Sequence, residues 1–170
     1  MATRRPSVAV QRSVPDRPTL PLDRSVGYQI RATHRLVQRA LQARIDRYGV
    51  TLGMWYYLRV LWDQDGLTQR ELSRTIGTME PTTLSAIAAM EKEGFVHRVR
   101  NADDRRKINV YLTKRGKDLE RELLPLAIDV VHVATKSLSE REQDMLLSML
   151  FAMQRDLQTD LNDAEETAEE

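Results

Sequence analysis

Apolar residues recur at helical spacing along most of the chain and alternate in one short region. From Val26 to Tyr48, the residues Ile30, Val37, Leu41, Ile45 and Tyr48 share one helical face, and Gly49 ends the run. Thr51 caps a second predicted helix, Leu52 to Trp62, with Trp55, Leu58, Leu61 and Trp62 on a wide apolar face. Asp63 to Gly66 is a turn. A third helix opens at Thr68, where Glu71 completes a capping box and Leu67 and Leu72 form the hydrophobic staple, and it stops at Gly77. Pro81 begins a fourth helix at the position proline tolerates best, and Gly94 ends it. Phe95 to Arg100 and Lys107 to Leu112 read as strands, because Ile108, Val110 and Leu112 alternate with Asn109 and Tyr111. Asn101 to Arg106 is the polar tip between them. A long helix follows from Thr113 to about Lys136, with Leu119, Leu123, Leu126, Val130 and Val133 as its stripe. Pro125 removes one backbone donor and should kink it or open a turn. Ser139 and Glu142 form a second capping box before a last helix bearing Met145, Leu146, Met149, Leu150, Met153 and Leu157. The acidic end, Asp160 to Glu170, is expected to fray.

Helix, short turn, helix and then a charged hairpin is the order of a winged helix-turn-helix. The fold class expected is therefore mainly α, with a small β-hairpin wing and terminal helices outside the winged module. Those terminal helices carry more apolar positions than one winged helix can cover, so a second copy of the chain is the simplest partner, as a two-fold homodimer. The expected organisation is a flexible basic arm over 1–21, a winged DNA-binding domain over 51–116, a helical dimerisation region over 22–50 and 117–161, and an acidic tail over 162–170.

The residues LTQREL, then ME-K-EGFV, then NADDRRKINVYLT-K-RG resemble the MarR family of bacterial transcriptional regulators, over about Val26 to Leu157. The most specific part is the D-x-R of Asp104 and Arg106, followed by a strand and Leu112-Thr113-x-x-Gly116. The resemblance implies a homodimeric, mostly helical DNA binder whose operator affinity often responds to a small ligand.

Charge sharpens the picture. The whole chain of 170 residues has a formal net charge of only +1. Between Thr68 and Lys117, however, eleven basic residues face six acids, a local excess of about +5 that suits a polyanion. The arm to Pro21 adds Arg4, Arg5, Arg12 and Arg17 among four prolines. It reads as a mobile segment that contacts phosphate, straps the partner subunit, or has no role. There is no cysteine, which excludes disulfides, thiolate metal sites and cysteine-based peroxide sensing. No apolar run reaches the roughly 18 residues of a membrane span, and the N-terminal segment lacks the apolar core of a signal peptide. A cytoplasmic protein without membrane partners is expected.

In this motif the second helix enters the major groove and its first residues face base edges. Those are Pro81, Thr82, Thr83 and Ser85, whose hydroxyls discriminate modestly among bases. This helix lacks arginine and lysine until Lys92, so it has no bidentate guanine reader. Affinity must then come largely from phosphates and from the wing. Arg105 and Arg106 sit at the hairpin tip, where an arginine can enter a narrow minor groove and read its shape. The family resemblance implies that Arg106 is the inserted residue and Asp104 its brace, with Arg105 as the competing candidate. Thr68, Arg70, Arg74 and Arg98 are expected at the DNA backbone, and the operator is expected to be an inverted repeat in double-stranded DNA.

An enzyme is not expected. His34, His97 and His132 lack helix-ligand spacing, and there is neither a glycine-rich phosphate loop nor a G-x-S-x-G. No metal or other cofactor is expected. In the family the ligand pocket lies where the dimer helices meet the winged module. In this chain that junction should involve the first two helices, with Tyr28, Arg31, His34, Trp55, Tyr56 and Arg59 as candidates. Aromatic walls beside an arginine would suit an aromatic acid or its thioester, although Trp55 and Tyr56 read more readily as core. The regulator is expected to be a repressor released by such a ligand. The alternative is a winged-helix protein-interaction module without a ligand response.

Overall fold

A computed structural model describes residues 20–169 of the chain. Most of the basic arm expected over 1–21 therefore lies outside the described residues. The chain separates into two units, 1–34 and 35–170. In the first, a 3-10 turn over Leu22–Arg24 precedes helix α1 (Val26–Ile45). The Gln29 side-chain amide donates to the carbonyls of Leu22 and Asp23 at 3.1 and 3.4 Å, which ties the turn to the helix start.

The second unit begins within α1, which tightens into a 3-10 turn at Asp46–Tyr48 and ends at Gly49 with φ 73°. Helix α2 (Leu52–Asp63) starts where Met54 N–H donates to the Thr51 hydroxyl at 3.3 Å. Gln42 of α1 fixes this junction by donating to the Val50 carbonyl at 3.2 Å and accepting from Leu52 N–H at 2.9 Å. Helix α3 (Gln69–Ile76) has the capping box read from the sequence: Glu71 N–H donates to Thr68 Oγ1 at 3.2 Å, and Thr68 N–H to Glu71 Oε2 at 2.7 Å. Helix α4 (Glu80–Lys92) carries Pro81 in its first turn. Strands β1 (Val96–Arg100) and β2 (Ile108–Leu112) pair antiparallel, with Val96 opposite Leu112 and Arg100 opposite Ile108. Helices α5 (Lys114–Thr135) and α6 (Glu140–Glu169) complete the chain.

Helix α5 is continuous across Pro125, so of the two effects expected there no turn opens. Pro125 and Arg121 are both exposed, so water can take the carbonyl that loses its donor. Helix α6 runs on to Glu169 through the acidic stretch expected to fray. Neither glycine nor proline interrupts it, and Ala, Glu and Leu there are strong helix formers.

The core is built around α2. Leu58 and Leu61 of α2, Leu72 of α3, Ile87 and Met90 of α4, Phe95, Val110 of β2 and Leu123 of α5 are almost wholly buried. Each such side chain contributes about 1.5–3 kcal/mol of transfer free energy. Trp55 and Trp62 meet edge to face at 5.6 Å. Gly116 lets α5 approach the hairpin: a Cβ there would overlap the Phe95 carbonyl oxygen, and the Trp62 indole donates to the Gly116 carbonyl at 2.9 Å.

The turn before α3 does more than the sequence indicates. Gly66 N–H donates to the Val110 carbonyl at 3.0 Å and Val110 N–H to the Leu67 carbonyl at 2.9 Å, while Thr68 bridges Asn109. Asp65 Oδ1 also accepts from Leu112 N–H at 2.8 Å. The hairpin is thereby fastened to the start of α3 as well as to its own partner strand. Helix α6, in contrast, adds no buried side chain among the described residues, and Met145, Leu146, Met149, Phe151, Leu157 and Leu161 stay exposed.

Candidate nucleic-acid interface

The wing tip is held by side-chain amides. Asn101 Oδ1 accepts from the N–H groups of Asp103 and Asp104 at 3.0 and 2.9 Å, an Asx turn that curls the chain. The Asn101 amide donates to Asn109 Oδ1 at 3.0 Å, and the Asn109 amide to the Gly66 carbonyl at 2.7 Å. A chain of amides therefore runs from the tip to the turn before α3. At the end of it, Asp104 Oδ1 accepts from both the backbone N–H and Nε of Arg106, each at 3.1 Å. These bonds hold the Asp104 carboxyl below the usual carboxylate range, so it is ionised at neutral pH. The Arg106 side chain remains 92% exposed. Arg105 is exposed too, and forms no ion pair among the described residues.

At the start of α4, Pro81, Thr82, Leu84 and Ser85 are exposed, as is Met79 before it. The Ser85 hydroxyl donates to the Pro81 carbonyl at 3.0 Å, which leaves Thr82 the freer hydroxyl of the two. Thr83 was expected on this face and is not there. It is fully buried, and its hydroxyl bonds to those of Tyr57 and Thr78. The signal was present in the sequence, since Thr83, Ile87 and Met90 fall at i, i+4 and i+7.

Of the residues expected at the DNA backbone, Arg70 is exposed beside Glu80 at 3.6 Å, and Arg74 is exposed. Arg98 is committed elsewhere: Nε and Nη2 donate to Glu91 Oε2 at 3.0 and 2.6 Å, and its N–H to Oε1 at 3.2 Å. That fork ties β1 to α4 and holds the Glu91 carboxyl below its usual range. Between α3 and the wing lies a cleft of about 600 Å³, lined by Thr68, Gln69, Arg70, Arg74, Arg106 and Lys107 together with Glu71, Glu80, Asp104 and Ile108. The Gln69 amide nitrogen is buried there without a hydrogen-bond partner, a feature the sequence reading missed.

A second cavity, of about 410 Å³, is mostly apolar and lies between α2 and α5. Trp55, Tyr56 and Arg59 line it with Val37, Leu41, Leu124, Ala127, Ile128, Val130, Val131 and His132. The Arg59 guanidinium stands 5.8 Å from the Trp55 ring centroid, and Gln38 donates to the Tyr56 hydroxyl at 3.3 Å. Three of the six expected ligand residues thus come together. Tyr28, Arg31 and His34 belong to the first unit and are exposed on α1. His132 is a cavity residue that the sequence reading did not pick.

The comparisons agree with this geometry. Residues 50–108 match the family model described as the MarR family. The chain is 26% identical over 136 residues to the HTH-type transcriptional regulator TtmR of Methylorubrum extorquens, covering 80% of this chain and 69% of that protein. It is 28% identical over 104 residues to the HTH-type transcriptional repressor YetL of Bacillus subtilis, covering 60% of this chain and 62% of that protein. Among solved structures, a MarR transcriptional regulator from Methanosarcina mazei superposes with a TM-score of 0.73 at 28% identity, covering 79% of this chain and 97% of the other. Family members are DNA-binding transcriptional regulators, not enzymes. The hairpin wing, the helix-turn-helix and these relatives agree in likening the chain to the MarR family of transcriptional regulators, whose model matches residues 50–108.

Proposed function

We propose that the chain is a repressor that binds an inverted-repeat operator as a homodimer and is released by a small aromatic acid or its thioester. The observation that carries the DNA part is Arg106, presented almost fully exposed by Asp104 on the same side of the molecule as the polar cleft at α3. In this reading Thr82 and Ser85 face base edges, Arg106 enters the minor groove, and Arg70, Arg74 and Thr68 hold phosphates. The winged domain spans 51–116. The segments 22–50 and 117–161 form the dimerisation region, which accounts for the apolar side chains that α6 leaves uncovered. The arm over 1–21 adds positive charge, and the acidic tail over 162–170 keeps that end off the DNA.

The cavity beside Trp55, Tyr56 and Arg59 supports the ligand part: aromatic walls, one guanidinium and His132 suit a planar ring with a carboxylate or thioester carbonyl. A ligand there releases DNA only if it binds the DNA-incompetent arrangement more tightly. A second reading draws on exposed Met79 and Leu84, which suit a protein partner at the start of α4. The test selects duplexes from a random pool with the purified protein, then titrates salt and aromatic acids against the selected duplex. A steep loss of affinity with salt and release by an acid support the proposal. Failure to enrich any duplex, with salt-insensitive capture of a protein, supports the second reading.

A further inference from the structure

Among the described residues, Ser73 and Thr83 are the buried polar side chains, and both reach Thr78 in the turn between α3 and α4. Tyr57 of α2, 2% exposed, completes the group. Its hydroxyl donates to Thr83 Oγ1 at 3.1 Å and lies 3.2 Å from Thr78 Oγ1, while the two threonine hydroxyls are 3.0 Å apart. With Tyr57 donating to Thr83, the other two protons run from Thr83 to Thr78 and from Thr78 to Tyr57. Each hydroxyl then donates once and accepts once, so the ring closes with no donor left over. Ser73 pins the same turn from α3: its hydroxyl donates to the Thr78 carbonyl, and its own carbonyl accepts from Thr78 N–H at 3.0 Å.

Three helices therefore meet at Thr78 through directional bonds inside an otherwise apolar core. Apolar contacts tolerate small slides of one helix on another; hydrogen bonds weaken steeply once they are bent below about 120° or stretched beyond about 3.5 Å. A slide or rotation of α4 that opened the ring would strand buried hydroxyls without partners, which is costly in a dry core. The start of α4 is the part so fixed, and within two residues of Thr83 it carries Pro81, Thr82 and Ser85 on its outer face.

We infer that the Tyr57–Thr78–Thr83 hydroxyl ring is a positioning device for the first turn of α4, and that Tyr57 sets the chain's sequence discrimination without touching DNA. This rests on reading α4 as the base-facing helix. Base-edge contacts need the helix placed within a fraction of an ångström, whereas phosphate contacts from long side chains follow small displacements. Loss of the ring should therefore act on discrimination and spare non-specific affinity.

The experiment compares wild type with Tyr57→Phe, Thr83→Val and Thr83→Ser well below each melting temperature. Affinity is measured for the duplex that wild type selects from a random pool and for a scrambled duplex. Amide hydrogen exchange is followed in the same proteins without DNA. The expected result is that Tyr57→Phe and Thr83→Val lower the ratio of specific to non-specific affinity about tenfold, roughly the effect of one unpaired buried hydroxyl. Thr83→Ser restores most of the ratio, and exchange quickens in the first turn of α4 while the hairpin is unaffected. A lower melting temperature with an unchanged ratio and unchanged first-turn exchange would overturn the inference, because the ring would then be ordinary packing. If wild type prefers no duplex, the DNA reading fails, and the exchange data still decide the ring: quickening confined to that turn upholds positioning, and a uniform change refutes it.

Discussion

Asp104 grips Arg106 at two points, accepting from its backbone N–H and from its Nε, while 92% of the arginine side chain stays open to solvent. The grip orders the side chain before DNA arrives, so less entropy is lost on binding. Arg106→Ala should cost operator binding about 1–3 kcal/mol if the residue reads the groove. Asp104→Ala should cost only part of that affinity, because Arg106 keeps its charge and loses its direction. Arg105, with no such brace, should matter less on substitution. Fluorescence anisotropy on one duplex ranks the three, and equal losses would reduce the wing to bulk charge.

The same bond makes a pH prediction. The Asp104 carboxyl is held below its unfolded value of about 3.9 by the hydrogen bonds from Arg106. A depressed folded-state pKa contributes order that is complete above the unfolded value and lost as pH falls through the folded one. The Arg106 Nε–H resonance should hold steady from neutral pH down to the ordinary carboxylate range and shift only below it. A shift near pH 6 would mean that another group governs the wing.

Local chemistry is what the sequence states most clearly. The capping boxes at Thr68–Glu71 and Ser139–Glu142 and the strand alternation at Ile108, Val110 and Leu112 depend on residues close in the chain, and they form as read. The pairing of Asp104 with Arg106 is equally local. The burial of Thr83 was encoded in its spacing from Ile87 and Met90, but hydroxyls at a helix start also read as groove contacts, and the two meanings compete. Arg98 meeting Glu91, Asn109 reaching Gly66 and His132 joining Trp55 are long-range meetings, which periodicity does not report.

The close approach at Gly116 is a stability prediction. A Cβ there meets the Phe95 carbonyl oxygen and the Leu112 side chain, and a backbone oxygen cannot swing aside as a side chain would. Gly116→Ala should destabilise by about 3 kcal/mol through overpacking between α5 and the hairpin. Urea denaturation gives the number, and a wild-type midpoint would show that α5 can lift off the hairpin without cost.

The cavity predicts reciprocal linkage. An aromatic acid that lowers operator affinity tenfold needs about 1.4 kcal/mol of coupling, and operator DNA must weaken the acid by the same factor. Arg59→Ala and His132→Ala should each weaken the acid while leaving DNA affinity without ligand near wild type. Calorimetric titration with and without DNA checks both halves. Acid binding that is indifferent to DNA would separate the cavity from the switch.

The central claim is that two copies of this chain read an inverted repeat with α4 and the wing. Hydroxyl-radical footprinting on a duplex selected from a random pool, with the mass of the complex measured in parallel, tests it most directly. The account predicts two protected half-sites centred about one helical turn, roughly 10 base pairs, apart. It also predicts outer minor-groove protection that disappears with Arg106→Ala, and two chains per duplex. A single protected half-site bound by one chain, or outer protection that survives Arg106→Ala, would contradict it.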